Sequence, residues 1–399
     1  MGALDGVRVI EIGEGICAPY CGQLCADAGA EVLKVEPSRG DWARQMGPPF
    51  VNGESPVFLC LNRNKKSVVL NLETGEGREA LKKLVKDADV VIEDLAPGFA
   101  EDNGIGYDAL RQINDKLIYL GISPYGEKGP YARKPATELT IQAMSEYTAS
   151  LGVIGEPPVR LGTDVADTNT AVFGFQGILS AYFHRLRTGE GQKVAVNMFG
   201  SLLSMRGTLW SAQSDGIESW YGFHCDSYVK PPDHGYQTGT LPVYFTLRRG
   251  NEEAYSTVLI EFEMFDAIND PRFGEGGRDA TGTGRLAHEV KPIWEAGFAS
   301  KTADEVCEII NRNDGEAVPI TDYEYLFAHP QTEAIDIVRQ VDHPKAGKFR
   351  VLRAPWKFSE IPEGKYEPPP ALGQHTQEVL RKAGLSAQEI SRLGPARKG

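Results

Sequence analysis

The chain has 399 residues, more than one ordinary domain holds, and is read as two domains with ample material for a buried core. Its 41% hydrophobic and 24% charged residues suit a globular protein, and its net charge of −13 excludes the basic footprint of a nucleic-acid binder. Any anionic ligand must be met by local Lys, Arg or backbone N–H groups, because the global field opposes it. Met1–Asp5 leads into no basic-then-apolar leader, and no apolar run approaches the roughly 20 residues that span a bilayer. The expectation is a cytoplasmic protein with no membrane contact.

In chain order, Val7–Gly13 (VRVIEIG) reads as a short strand closed by glycine, and the small residues Ala18–Ala28 read as a helix. Ala30–Glu36 (AEVLKVE) is a second strand ending in an acid, and Lys66–Leu72 a third. Gly75–Ala88 is an amphipathic helix with Leu81, Leu84 and Val85 on one face. ADVVIEDL and KLIYLGIS are further strands, separated by a helical segment around Tyr107–Ile113. Apolar strands joined by helices of this length predict right-handed crossovers and a parallel sheet covered on both faces. Six Cys in so long a chain are no disulfide framework. Cys17, Cys21 and Cys25 recur every four residues on one helix face; without a CxxC pair or a nearby His, they read as packing residues rather than metal ligands.

A long helical region runs from about Asn169 to Leu209, broken by Thr188–Gln192 and the strand-like KVAVNM. From about Ser214 the texture changes: LPVYFTLRRG and AYSTVLIEF read as short strands of a smaller α+β domain. The tail carries a strand (GKFRVLRAP), a proline-rich stretch (EPPPALG) and a terminal helix, and is expected to return to the first domain.

Strand, glycine turn, small-residue helix and a second strand ending in Glu36 mimic a nicotinamide site. The fingerprint needs GxGxxG at the first turn, and here Gly13 and Gly15 are followed by Ala18-Pro19. A Rossmann-like sheet serving another nucleotide-bearing ligand is the better reading, since fold alone does not fix chemistry.

Several segments together resemble the class III CoA-transferases, the family of formyl-CoA, carnitine and bile-acid-inducible transferases. They are LDGVRVIEIG, AGAEVLKVEPSRGD, NRNKKSVVLNLETGEGREAL, GTDVADTNTAVFGFQGILSAYFHRLRTGEGQKVAVNM, APWKFS and PPALGQHTQEVLRKAGLS, in the family's order. They cover most of residues 1–210 and 340–399, and the likeness is weak between them. The resemblance implies a large Rossmann-like CoA-binding domain of residues 1–213 and 335–399, a small α+β domain of 214–334, and an interlocked homodimer. It implies transfer of coenzyme A, as co-substrate, from an acyl-CoA to a carboxylic acid, with no metal.

By the same resemblance Asp167, in ADTNT, is the nucleophile. A carboxylate that attacks the acyl-CoA preserves the thioester's activation in a mixed anhydride and then an aspartyl-CoA thioester. No general base is needed, since a carboxylate is already ionised near neutral pH. Read alone, Asp167 before Thr-Asn-Thr and an apolar helix is an N-cap, and Asp164 competes with it for the catalytic role. Glu138, in PATELTIQA, stands at a family active-site acid, or is a solvated first-turn helix acid. The resemblance carries CoA contacts onto Ile16, Leu70, Leu95 and Asn103, with Arg39 for phosphate and Lys134 for phosphate or the donor carboxylate. Leu70 and Leu95 also read as plain core, and Lys134 as a solvated loop lysine.

The sequence departs from the family's pattern in three places. Ile16 replaces a glutamine of the oxalate-using enzyme, Glu93-Asp94-Leu95 replaces E-N-F, and Asp102 replaces a phosphate-binding arginine, for which Arg44, Lys65 or Lys66 are candidate substitutes. His234–Pro242 reads either as a loop over the nucleophile or as an ordinary turn. Two rival functions remain. A 2-methylacyl-CoA racemase needs a His before the helix entered at Pro135, and none is there. A non-catalytic CoA-binding protein would keep only the fold.

Overall fold

The computed structural model describes residues 2–148, 157–207, 235–247, 251–274, 280–281 and 286–393. The chain divides into two compact units, one of Met1–Ser145, Leu161–Met205 and Asp336–Gly399, the other of Glu146–Arg160 and Arg206–Ile335.

The first unit is built on six parallel strands: β1 (Arg8–Ile12), β2 (Glu31–Glu36), β3 (Lys65–Val69), β4 (Val90–Glu93), β5 (Ile118–Ser123) and β6 (Lys193–Asn197). Their order is β3-β2-β1-β4-β5-β6, so the winding reverses between β1 and β4. In open α/β sheets that reversal leaves a crevice at the carboxyl ends of the two strands, where ligands bind. Alternation along the strands feeds two cores. On one face Val9, Val32, Ile92 and Leu120 meet α1 (Cys17–Asp27). On the other, Ile10, Val35, Val68 and Tyr119 pack with residues of the helix Gly75–Val85.

Cys17, Cys21 and Cys25 are all buried in the first of these cores, among its packing residues. The tail returns to the sheet and covers edge strand β3: the backbone N–H of Ser67 donates to His375 Nδ1 at 3.1 Å and that of Val69 to Thr376 Oγ1 at 3.0 Å.

The longest helix among the described residues, Val165–Thr188, runs over the α1 face of the sheet. Glycine lets it come close: a Cβ at Gly174 would sit 2.9 Å from Leu120 and 3.4 Å from the Cys21 sulfur.

The second unit pairs Val243–Leu247 antiparallel with Gly315–Pro319 around an aromatic core of Tyr236, Phe245, Trp294 and Phe298. Here one expectation fails. AYSTVLIEF is not a strand but most of the helix Glu252–Glu261. Asn251 caps it by accepting from the Ala254 N–H at 3.1 Å, Glu252 and Glu253 fill its first turn, and Tyr255, Val258, Leu259 and Phe262 are buried at helical spacing. Its β-branched composition was outweighed by cap and period. Tyr236 pairs with Val243, and Gly239 N–H donates to the Lys301 carbonyl at 2.8 Å, so residues 235–242 form the turn before the strand. His234 lies outside the described residues.

Candidate active site

The helix Val165–Thr188 starts three residues earlier than the capping motif at Asp167 suggests. Asp164 takes the N-cap position but makes no side-chain capping bond, and Asp167 lies in the first turn. The cap comes from another helix. Glu138 opens the helix Glu138–Met144, and its Oε1 accepts from the Ala166 N–H at 2.9 Å while Oε2 accepts from the Asp167 N–H at 2.9 Å. Two free N–H groups of a helix start thus share one borrowed carboxylate. Buried Gln142 fixes that carboxylate: its Nε2 donates to Glu138 Oε1 at 2.7 Å and to the Thr163 carbonyl at 3.3 Å, and its Oε1 accepts from Leu161 N–H at 3.0 Å.

The Asp167 carboxyl is consequently crowded by acids. Burial pushes it up first, followed by the charges of Glu138, Asp94 and Asp164 and a hydrogen bond to Glu138, to about 8. This corrects the expectation of a carboxylate ionised at neutral pH. In the free site burial first, and the neighbouring acids after it, favour the protonated form of Asp167.

The β1–α1 turn closes the other side. Asp94, just past β4, accepts from Ala18 N–H at 3.0 Å and Glu14 N–H at 3.3 Å. Burial, then a Coulombic field in which Glu11 and Asp41 oppose Lys34, pushes Asp94 up to about 7. Buried Cys17 feels Asp167, Asp94 and Glu138 together, which brings the start of α1, the end of β4 and the start of the long helix around one spot. Beneath the turn lies a fully buried ion network. Lys34 reaches Glu11 at 2.9 Å, Asp41 at 2.8 Å and the Gly13 carbonyl at 2.9 Å, while Lys65 reaches Glu11 at 2.7 Å and Asp41 accepts from Gly15 N–H at 2.8 Å.

The CoA candidates scatter. Ile16 is buried at the N-cap of α1. Arg39 is exposed and pairs with Glu14 at 2.6 Å. Leu70 is 1% exposed and belongs to the core. Leu95 lines a cavity of about 290 Å³ beyond β4 and β5. Asn103 is half-buried, its amide donating to the Phe99 carbonyl at 2.9 Å. Lys134 is exposed and lies 3.7 Å over the Tyr131 ring.

The three candidates to replace the missing arginine are engaged elsewhere: Arg44 with Glu36, Lys65 with Glu11 and Lys66 with Glu31. Arg133 does reach the place. It pairs with Asp102 at 2.7 Å, and a Cβ at Gly98, where φ is +87°, would collide with its guanidinium at 2.2 Å.

The family model described as "CoA-transferase family III" matches residues 4–376. The chain belongs to CoA-transferase family III. This transferase is 34% identical to an acyl-CoA transferase of Fusarium pseudograminearum, over 98% of the chain and 87% of that protein. It is 30% identical to the mouse succinyl-CoA:glutarate CoA-transferase over 96% and 86% of the two chains. It is 31% identical to the succinyl-CoA–D-citramalate CoA-transferase of Chloroflexus aurantiacus over 98% and 96%. Among solved structures, a CAIB/BAIF family protein from Brucella suis matches with a TM-score of 0.80 at 28% identity, covering 96% of this chain and all of that one.

In this CoA-transferase, sequence reasoning passed over Gln142 and Arg133. Gln142 carried no motif, and its role depends on a loop twenty residues away. Arg133 stood beside Lys134, yet only the fold carries it over Gly98. Asp94 was noticed as a departure from pattern, without its place against α1.

Proposed function

We propose that this CoA-transferase works through covalent intermediates on Asp167. Once ionised, an Asp167 oxygen attacks the acyl-CoA carbonyl, the C–S bond breaks, and CoA leaves as thiolate to give a mixed anhydride. The thiolate then attacks Asp167 Cγ, releasing the donor acid and forming an aspartyl-CoA thioester. The acceptor carboxylate attacks the same carbon and expels the thiolate, forming a second anhydride. Thiolate attack on the acceptor's acyl carbon yields the new acyl-CoA and restores the Asp167 carboxylate.

The observation that carries this reading is the Glu138–Asp167 pair at a helix start. It supplies a buried carboxyl nucleophile whose backbone is fixed by a neighbouring acid, Glu138, accepting its N–H. Glu138 is the acid that caps the long helix beside Asp167, and Gln142 orients it. Arg133 is the proposed partner of a CoA phosphate, with Leu95 at the edge of the adjoining cavity. The mouse and Chloroflexus relatives are named for succinyl-CoA with glutarate and D-citramalate, and we infer succinyl-CoA as donor and a small dicarboxylic acid as acceptor here.

An interlocked homodimer in the cytoplasm completes the reading. Leu179, Phe183 and Leu186 lie exposed at helical spacing on the long helix, which suits burial by a second copy. Among the described residues no helix is long and apolar enough to cross a membrane.

Racemisation is the weaker reading. His184, on the same helix as Asp167, is roughly 25 Å along it at 1.5 Å per residue, too far to share one α-proton. Incubation with succinyl-CoA and hydroxylamine tests the proposal. The expected result is a hydroxamate at Asp167, and transfer to glutarate or malate. Deuterium exchange at the α-carbon of an acyl-CoA, with no adduct, would support the racemase instead.

A further inference from the structure

Asp94 occupies the winding reversal of the sheet, between the ends of β1 and β4. Its two oxygens accept the N–H groups of Glu14 and Ala18, so one carboxyl spans the whole turn that enters α1. The fit is tight: a Cβ at Gly13 would lie 2.3 Å from Asp94 Oδ1, so only glycine admits the side chain there. The same turn is held from below, where the Gly13 carbonyl accepts from Lys34 and the Gly15 N–H donates to Asp41. A neutral asparagine would supply one acceptor at this position, whereas this chain has two acceptors and a titratable group.

We propose that Asp94 is a positioning residue for the nucleophile, bracing the Glu14–Ala18 turn and placing a third carboxyl in the field of Asp167. The inference rests on the reading of Asp167 as nucleophile. It adds that this transferase tunes its nucleophile with a group outside the Glu138–Asp167 pair.

The groups involved form one coupled set. Asp167 faces Glu138 from the helix Glu138–Met144, Asp94 from the end of β4, Asp164 from its own first turn, and the Cys17 thiol from α1. Asp94 in turn faces Lys34, which favours its ionised form, and Glu11 and Asp41, which oppose it. Removing the charge at position 94 therefore lets Asp167 ionise at lower pH, without touching the pair itself. Removing the whole side chain also releases the two N–H groups of the turn.

The test is the pH profile of kcat/KM for CoA transfer from succinyl-CoA to its best acceptor, for the wild type, Asp94→Asn, Asp94→Ala and Asp167→Ala. Thermal melts verify folding of each. The acid limb of Asp94→Asn is expected to move down by about 0.5–1 pH unit, the size of one nearby screened charge. Asp94→Ala should show the same shift together with a kcat about tenfold or more below wild type at the alkaline plateau, from the lost brace. An Asp94→Asn limb that coincides with the wild type overturns the inference if Asp167→Ala is inactive. Transfer that survives in Asp167→Ala overturns the nucleophile reading and this inference with it. Should Asp94→Ala fold poorly, the Asp94→Asn profile alone decides, because a purely structural role would leave the limb in place.

Discussion

The carboxylate of Glu138 accepts the backbone N–H of Asp167 at 2.9 Å and faces that residue's own carboxyl. One side chain therefore caps the long helix and, after burial, adds to the upward push on the carboxyl beside it. Helix starts ordinarily favour an ionised acid. Here burial and three further acids reverse that preference, and the predictions below follow from the reversal.

Asp167 costs stability. Its carboxyl titrates near 8 in the folded chain and near 4 when unfolded, so the folded state holds the extra proton between those values. Its stabilising share is complete below about pH 4 and is lost as pH rises to about 8. Asp167→Asn should therefore melt higher than wild type at pH 8, by about 2 °C or more, with the gain shrinking towards pH 4. Melting curves at three pH values check this.

Gln142 is the support of the site. Replacing it with Leu leaves the Leu161 N–H and Thr163 carbonyl without that partner and frees the Glu138 carboxylate to swing. Denaturant unfolding of Gln142→Leu should show a loss of about 1–3 kcal/mol. Its kcat should fall more than its KM changes, because the lost contact orients the pair rather than the CoA.

Lys34 holds the turn from below. Lys34→Met leaves Glu11 and Asp41 buried with less compensation, and the expected loss in urea unfolding is about 3–5 kcal/mol. The paired change Lys34→Met with Asp41→Asn, which keeps the Lys65–Glu11 pair, should recover part of it. A double-mutant cycle measures the coupling.

Arg133 should matter to binding. Arg133→Ala is expected to raise KM for succinyl-CoA by about tenfold with a much smaller effect on kcat, and to flatten the salt dependence of KM. Initial-rate kinetics at two ionic strengths decide this.

Much of the first unit was legible because its signals are local. Short apolar strands ending in glycine or acid, spaced by helices, fix a parallel sheet, and all six strands fall where the apolar runs are. The helix Glu252–Glu261 was misread because Tyr, Thr, Val and Ile suggest strand, while the decisive cap at Asn251 and the four-residue period were outweighed. Asp167 and Glu138 were singled out through resemblance. Their relation was not, since a cap lent by one helix to another leaves no trace in either local sequence. For the same reason Arg133 escaped: its partner Asp102 is thirty-one residues away.

Oxygen tracing tests the central claim most directly. The acceptor acid is supplied with both carboxylate oxygens as ¹⁸O, and the Asp167 peptide is examined by mass spectrometry after turnover with succinyl-CoA. The covalent route predicts one ¹⁸O in the Asp167 carboxyl after a single turnover and up to two after many, with label appearing in the succinate released by later turnovers. A peptide that stays unlabelled through many turnovers, with label confined to acceptor and product, would contradict it.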